Sequence, residues 1–215
     1  MNASEPTQRY VLLADVIGST EISDRSEFRD DLLDGIRAVN REFGSDLYVE
    51  FGLIKGVDEF GAVLSDLRNV YEMISTLLNR VHPVRIRFGV AADDVDINPD
   101  NDDVGEMDGP AFHRADRLIR EVESDDLYIY IDTDLIVDLL VANNINLLLM
   151  QREQWTAHQV EAVQAYERSG TQSDAAELLG IQQQTVSKAL NTINYGEIKL
   201  LREYLRDVID LLYHE

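Results

Sequence analysis

Leu47-Tyr48-Val49-Glu50-Phe51-Gly52-Leu53-Ile54-Lys55-Gly56-Val57-Asp58-Glu59-Phe60-Gly61-Ala62-Val63-Leu64 reads as two strands joined by a tight turn. Leu47–Ile54 and Phe60–Leu64 are the apolar arms. Lys55-Gly56-Val57-Asp58 is the turn, with Gly56 free to take the backbone conformation a hairpin needs. Working outward, Tyr10-Val11-Leu12-Leu13-Ala14 is a short apolar run, the pattern of a buried strand. Phe28, Leu32, Leu33, Ile36, Val39 and Phe43 recur at helical spacing and predict a helix over 25–44. Val70, Ile74, Leu77, Leu78 and Val81 predict a second. Val84-Arg85-Ile86-Arg87-Phe88-Gly89-Val90 alternates with period two, as a half-buried strand does. Beyond an acidic loop at Asp93–Gly105, a helix is expected over Ala111–Val122, a strand over Leu127–Ile131 and a helix over Thr133–Met150. The order βαββαβ followed by αβα predicts an α/β (α+β) fold. Its core is a ferredoxin-like mixed sheet with helices on one face.

The remaining residues read as helical throughout. Thr156–Ser169 is one helix, with Val160, Val163 and Tyr166 on a face. Ser173–Leu179 is a second, capped by Ser173 and stopped by Gly180. Gln183–Ile193 is a third. Glu197–Tyr213 carries Ile198, Leu201, Leu205, Val208, Ile209 and Leu212 on one stripe. That stripe serves either as a dimer seam or as a face packed back on the first domain. The expected division is 1–150 and 151–215.

Composition limits the function classes. The 215 residues hold 19 Lys+Arg and 41 Asp+Glu, a formal charge of −22. About 150 residues make an average domain, so one large domain with an appendage is expected. No cysteine is present, which excludes disulfides, thiolate metal sites and thiol catalysis. No apolar run approaches the ~18 residues of a membrane span. The N-terminus lacks the charged-then-apolar pattern of a signal peptide, so a cytoplasmic protein with no membrane partner is expected. Of the basic residues only Lys55, Lys188 and Lys199 are lysines. High acid with arginine replacing lysine resembles the proteins of salt-in halophilic archaea. In those, carboxylates keep the surface hydrated and salt screens their repulsion.

Ala175-Ala176-Glu177-Leu178-Leu179-Gly180-Ile181-Gln182-Gln183-Gln184-Thr185-Val186-Ser187-Lys188-Ala189-Leu190 resembles the helix-turn-helix of transcription regulators. Ala176 lets two helices approach, Gly180 makes the turn, and Ile181, Val186 and Leu190 fill a small core. Gln182, Gln183, Gln184, Thr185, Ser187, Lys188 and Asn191 are left outward. Gln and Asn suit adenine edges, while Lys and Ser/Thr suit phosphates. The expected partner is DNA, read by a homodimer.

Asp15 ends the first strand and Asp58 sits at the hairpin. In a ferredoxin-like core these points are neighbours. Two carboxylates brought together repel unless a cation lies between them, and Mg²⁺ with phosphate ligands is a natural solution. Four stretches carry a family resemblance. They are Asp15-Val16-Ile17-Gly18-Ser19, Asp58-Glu59-Phe60, Arg87-Phe88-Gly89-Val90-Ala91 and Asp108-Gly109-Pro110-Ala111-Phe112. In these the chain resembles the SatD family and, behind it, the palm domains of class III nucleotide cyclases and diguanylate cyclases. The resemblance implies Mg²⁺ held by Asp15 and Asp58 on a nucleoside triphosphate. It also implies transition-state groups at His113 and Arg117, where His113 replaces the cyclase Asn. Lys55 is the one nearby candidate for selecting a base, one residue out of register. The glycine of the cyclase hairpin is shifted too, in Gly56-Val57-Asp58. Two functions follow as expectations. One is a DNA-binding regulator whose cyclase-like domain senses a nucleotide or metal-nucleotide. The alternative is a divergent nucleotidyl cyclase or nucleotidyl transferase.

Overall fold

A computed structural model describes residues 9–213. The reading of the N-terminus as signal-free falls largely on residues 1–8, outside the described residues. Five strands form one sheet: β1 (Arg9–Val16), β2 (Leu47–Lys55), β3 (Glu59–Leu64), β4 (Ile86–Asp93) and β5 (Ile129–Asp132). Their spatial order is β2-β3-β1-β4-β5. β1 is central and antiparallel to both β3 and β4, while β5 joins β4 in parallel. The first four strands are the expected ferredoxin-like core. The fifth extends it at one edge.

Four helices are interspersed with these strands: α1 (Arg25–Phe43), α2 (Val70–Arg80), α3 (Pro110–Asp125) and α4 (Asp138–Glu153). Asp24 caps α1 by accepting from the backbone N–H of Ser26 and Glu27. Alternation along β1 sends Tyr10, Leu12, Ala14 and Val16 into the main core, with Phe28, Leu32 and Ile36 of α1 and Met73, Ile74 and Leu77 of α2. Val11 points the other way, into a second layer built on Val63, Ala91, Ala111, Phe112, Ala115 and Leu118. The expectation of helices on one face is therefore corrected: α3 covers the opposite face. Gly89 makes this possible, because a Cβ there would lie 2.2 Å from the Ala115 carbonyl oxygen. The acidic loop is tethered under the same layer by buried Val104 and Met107.

β5 is fastened to α4 through one side chain. Buried Asn146 accepts from the N–H of Tyr128 and of Ile129 and donates to the Ile129 carbonyl. Three backbone groups at the sheet edge are thereby satisfied.

The helical segment contains α5 (Ala157–Ser169), α6 (Gln172–Leu179), α7 (Gln183–Thr192) and α8 (Tyr195–Tyr213). Thr156 and Gln159 form a capping box at the start of α5. α6 begins one residue before the expected start, and its cap is Thr171, not Ser173. The Thr171 hydroxyl accepts from the Asp174 N–H. Gly180 ends α6 in the left-handed conformation, at φ 66. Trp155, Val160, Ala176, Val186, Leu190 and Ile198 form a separate small core.

α8 belongs to both cores. Ile198 lies in the small one, whereas Leu205 and Ile209 lie in the main one. The Tyr213 hydroxyl donates to Asp138 at the start of α4 (2.7 Å). The expected stripe thus packs back onto the sheet unit at these positions, while Leu201 and Val208 stay exposed. Among the described residues no helix is long and apolar enough to cross a membrane.

Candidate functional site

The end of β1 and the β2–β3 turn meet as the fold requires. The Val16 N–H donates to the Asp58 carbonyl (2.9 Å), and the turn closes through the Asp58 N–H on the Lys55 carbonyl (3.1 Å). Gly56 sits there at φ 59, the left-handed region that glycine adopts without penalty. Strand register sets Asp15 opposite Glu59 on one side and Arg87 on the other. The Arg87 guanidinium lies 3.6 Å from Asp15 and 3.1 Å from Glu123. Arg25 from α1 reaches Asp58 at 3.3 Å. Burial raises the Asp15 pKa above the ordinary carboxylate value. Arg87 opposes that shift, and the charges of Glu59, Glu123 and Asp58 add to it. Asp15 and Asp58 are therefore brought into one electrostatic site, each held by its own arginine.

Which cation would this donor set fit? Among the described residues no group of three or more His, Asp or Glu side chains is disposed to hold a metal ion. Two carboxylates alone supply too few oxygens for an octahedral Mg²⁺, which normally completes its shell with phosphate and water. The donor chemistry thus fits a Mg²⁺ that arrives on phosphates, and does not fit a free structural ion.

Of the other cyclase-type candidates, Lys55 belongs to this same turn, whereas His113 and Arg117 lie elsewhere. Lys55 is exposed and pairs with Glu59 (3.4 Å). α3 starts beside the far end of β4, where the Ala111 N–H donates to the Asp94 carbonyl. His113 faces Asp108 (3.8 Å). Arg117 binds Asp132 (3.1 Å) and Glu121 (3.6 Å). Asp132 is level with Ala91, whereas Asp15 is level with Arg87. Four residues of strand separate those levels, about 13 Å. A single chain therefore does not bring His113 and Arg117 to the Asp15–Asp58 pair. Arg114 does more in this region than either neighbour. It donates to Asp93, Asp132, Asp134 and the Ala92 carbonyl, and its hydrogen bonds to Asp134 and Asp132 hold its pKa above the ordinary arginine value.

Sequence reasoning missed Arg25, Arg87, Glu59 and Glu123 as partners of the carboxylate pair. The alternation of Ile86, Arg87 and Phe88 gave a usable signal. With Ile86 and Phe88 inward, Arg87 must emerge on the other face, and antiparallel pairing with β1 sets it against Asp15.

Gln182, at the N-cap of α7, and Gln183, Gln184, Thr185, Lys188 and Asn191 of α7 itself are exposed to solvent, with Ser187 half-buried. Val186, Ala189 and Leu190 turn inward. Gln184, Ser187, Lys188, Asn191 and Thr192 line one shallow surface depression.

The SatD family model matches residues 10–207, spanning the sheet unit and the helical segment alike. The chain belongs to the SatD family. No match was found among curated proteins. Two solved structures to which this SatD-family protein is similar are described as bacterial light-regulated adenylyl cyclases. One is 14% identical, with 58% of this chain and 74% of that chain covered, at a TM-score of 0.41. The other is 16% identical, with 60% and 44% covered, at 0.43. At these levels the likeness carries no inference about activity.

Proposed function

We propose that the sheet unit of this SatD-family protein is a nucleotidyl-cyclase-like module that binds a magnesium-complexed nucleoside triphosphate at Asp15 and Asp58. The observation that carries this reading is the pair itself. Two carboxylates 43 residues apart in sequence are joined by the Val16–Asp58 backbone bond, and burial disfavours the charge on Asp15. Bound there, Mg²⁺ would neutralise that charge and polarise the phosphate oxygens. Asp58 would exchange Arg25 for the ion, freeing that guanidinium for phosphate. Arg87 would keep Asp15 oriented from the β4 side. With His113 and Arg117 at the other end of the sheet, the single chain is suited to binding the metal-nucleotide rather than to turning it over.

Calorimetric titration with ATP and GTP in molar KCl tests the reading. Affinity should depend on Mg²⁺ and fall at least tenfold in the Asp15→Asn, Asp58→Asn double variant. Equal binding by wild type and variant would overturn it. Incubating the same samples and analysing for cyclic or pyrophosphate product tests turnover.

A second reading concerns α7. Residues 178–196 contain no Asp or Glu, in a chain with 41 of them among 215 residues. An acid-free polar helix on so acidic a protein supports contact with a polyanion, and glutamines beside one lysine suit base edges and phosphates of DNA. Regulation by such a reader would call for a homodimer on paired half-sites. Exposed Leu140, Leu147 and Leu211 on α4 and α8 offer apolar surface for it. Loss of a sequence-specific footprint in Gln183→Ala, Lys188→Ala is the expected result. An unchanged footprint would rule α7 out.

A further inference from the structure

Among the described residues, seven basic side chains make no hydrogen bond or ion pair: Arg9, which lies over the Tyr48 ring, and Arg41, Arg80, Arg168, Lys188, Lys199 and Arg206. In a chain of charge −22, acidic partners are abundant, so where these cations lie is informative. Arg9 is on β1 and Lys188 on α7. The other five all line one cleft of about 570 Å³. The cleft is the crease between the sheet unit and the helical segment. Arg41 closes α1 and Arg80 closes α2 on one wall, while Arg168 of α5 and Lys199 and Arg206 of α8 form the other.

Acids do not cancel this charge. Of the four glutamates in the lining, Glu72 and Glu167 are both bound by Arg202 at the base of the cleft. Only Glu42 and Glu203 remain against five cations. Ser75 lines the same space and is 7% exposed, yet its hydroxyl makes no hydrogen bond with any described residue. Tyr166 adds a half-buried ring, packed edge-on against Tyr195 with centroids 5.9 Å apart. The volume falls within the range of small-ligand sites, ~300–1,000 Å³. Guanidinium groups converging from two walls match the oxygens of phosphate.

We propose that this cleft binds a phosphorylated small molecule of nucleotide size, with two or more phosphates, which ties the helical segment to the sheet unit. The phosphates lie between Arg41 and Arg80 on one wall and Arg168, Lys199 and Arg206 on the other, and Tyr166 supplies an apolar surface for the remainder. Occupancy removes the mutual repulsion of the five cations and stiffens the crease. The site is separate from Asp15 and Asp58 and needs no metal.

The test titrates the full chain with inorganic pyrophosphate and with ATP, in EDTA at constant ionic strength. EDTA silences the magnesium-dependent reading, so the two proposals fail independently. Saturable binding is expected, at least tenfold weaker in Arg41→Gln, Arg206→Gln and unchanged in the distant Arg120→Gln. Fluorescence of Trp155, which packs against Tyr195 at 6.3 Å, should change on saturation in wild type. No saturable binding by either probe, or equal binding in the double variant, would overturn the proposal. Displacement of both probes by duplex DNA would reassign the cleft to a nucleic-acid backbone.

Discussion

Asp15 sits between opposing influences. Burial raises its pKa, Arg87 lowers it, and the balance is upward. In the unfolded chain the carboxyl titrates at its ordinary value. A folded-state pKa above that value means that Asp15 supports folding fully only below the ordinary pKa, and that this support is lost as pH rises through the folded value. At neutral pH the ionised group therefore opposes folding. Asp15→Asn should melt at a higher temperature than wild type near pH 7, and the difference should vanish at about pH 2, well below the ordinary carboxyl pKa, where Asp15 is protonated in the folded and the unfolded chain alike. Thermal melts at the two pH values check this. A variant that melts lower at neutral pH would show that the Arg87 pair outweighs burial. The adjacency of the β1 end and the Asp58 turn was legible, because strand end and hairpin are neighbours in any ferredoxin-like core. Arg87 left a signal in the alternation of β4, but Arg25 did not, since α1 supplies it across a contact that spacing does not encode.

At the scale of elements, α8 joins the two halves, and Arg202 is its clamp. The guanidinium binds Glu72 of α2 and Glu167 of α5 from a side chain 12% exposed. Burial works against its charge, but the bonds to Glu72 prevail and raise its pKa above the ordinary arginine value. Arg202→Met should destabilise the protein by about 2–4 kcal/mol. That is less than a fully buried pair would lose, because Glu167 keeps a third of its surface in water. Urea denaturation measures it. Adding Glu72→Gln and Glu167→Gln should recover most of the loss, since the unpaired charges and not the missing contact dominate it. The stripe on α8 was visible from spacing. What it would pack against was not, because Ile198, Leu205 and Ile209 look alike in sequence yet enter two different cores.

For the whole molecule, charge sets the behaviour. With −22 on 215 residues, repulsion among surface carboxylates opposes compaction until salt screens it. The melting temperature should climb steadily as KCl is raised from low to molar concentration, and a flat dependence would contradict the halophile-type reading. The cleft cations form a local exception, and its net positive lining is invisible in composition. Arg41, Arg80, Arg168, Lys199 and Arg206 are scattered over 166 positions of the chain and converge only when α1, α2, α5 and α8 assemble.

Periodicity and turn chemistry were enough for the strands, the helices and the order that defines the sheet. They record which face each segment buries and where its backbone must bend, and both are local properties. The side on which α3 lies was settled by Gly89, whose missing Cβ admits the Ala115 carbonyl. Separation of Arg117 from Asp15 followed from strand levels, and the merging of α8 into both cores from packing. These are relations between distant residues, set by the excluded volume and burial of the assembled chain, which no single segment contains.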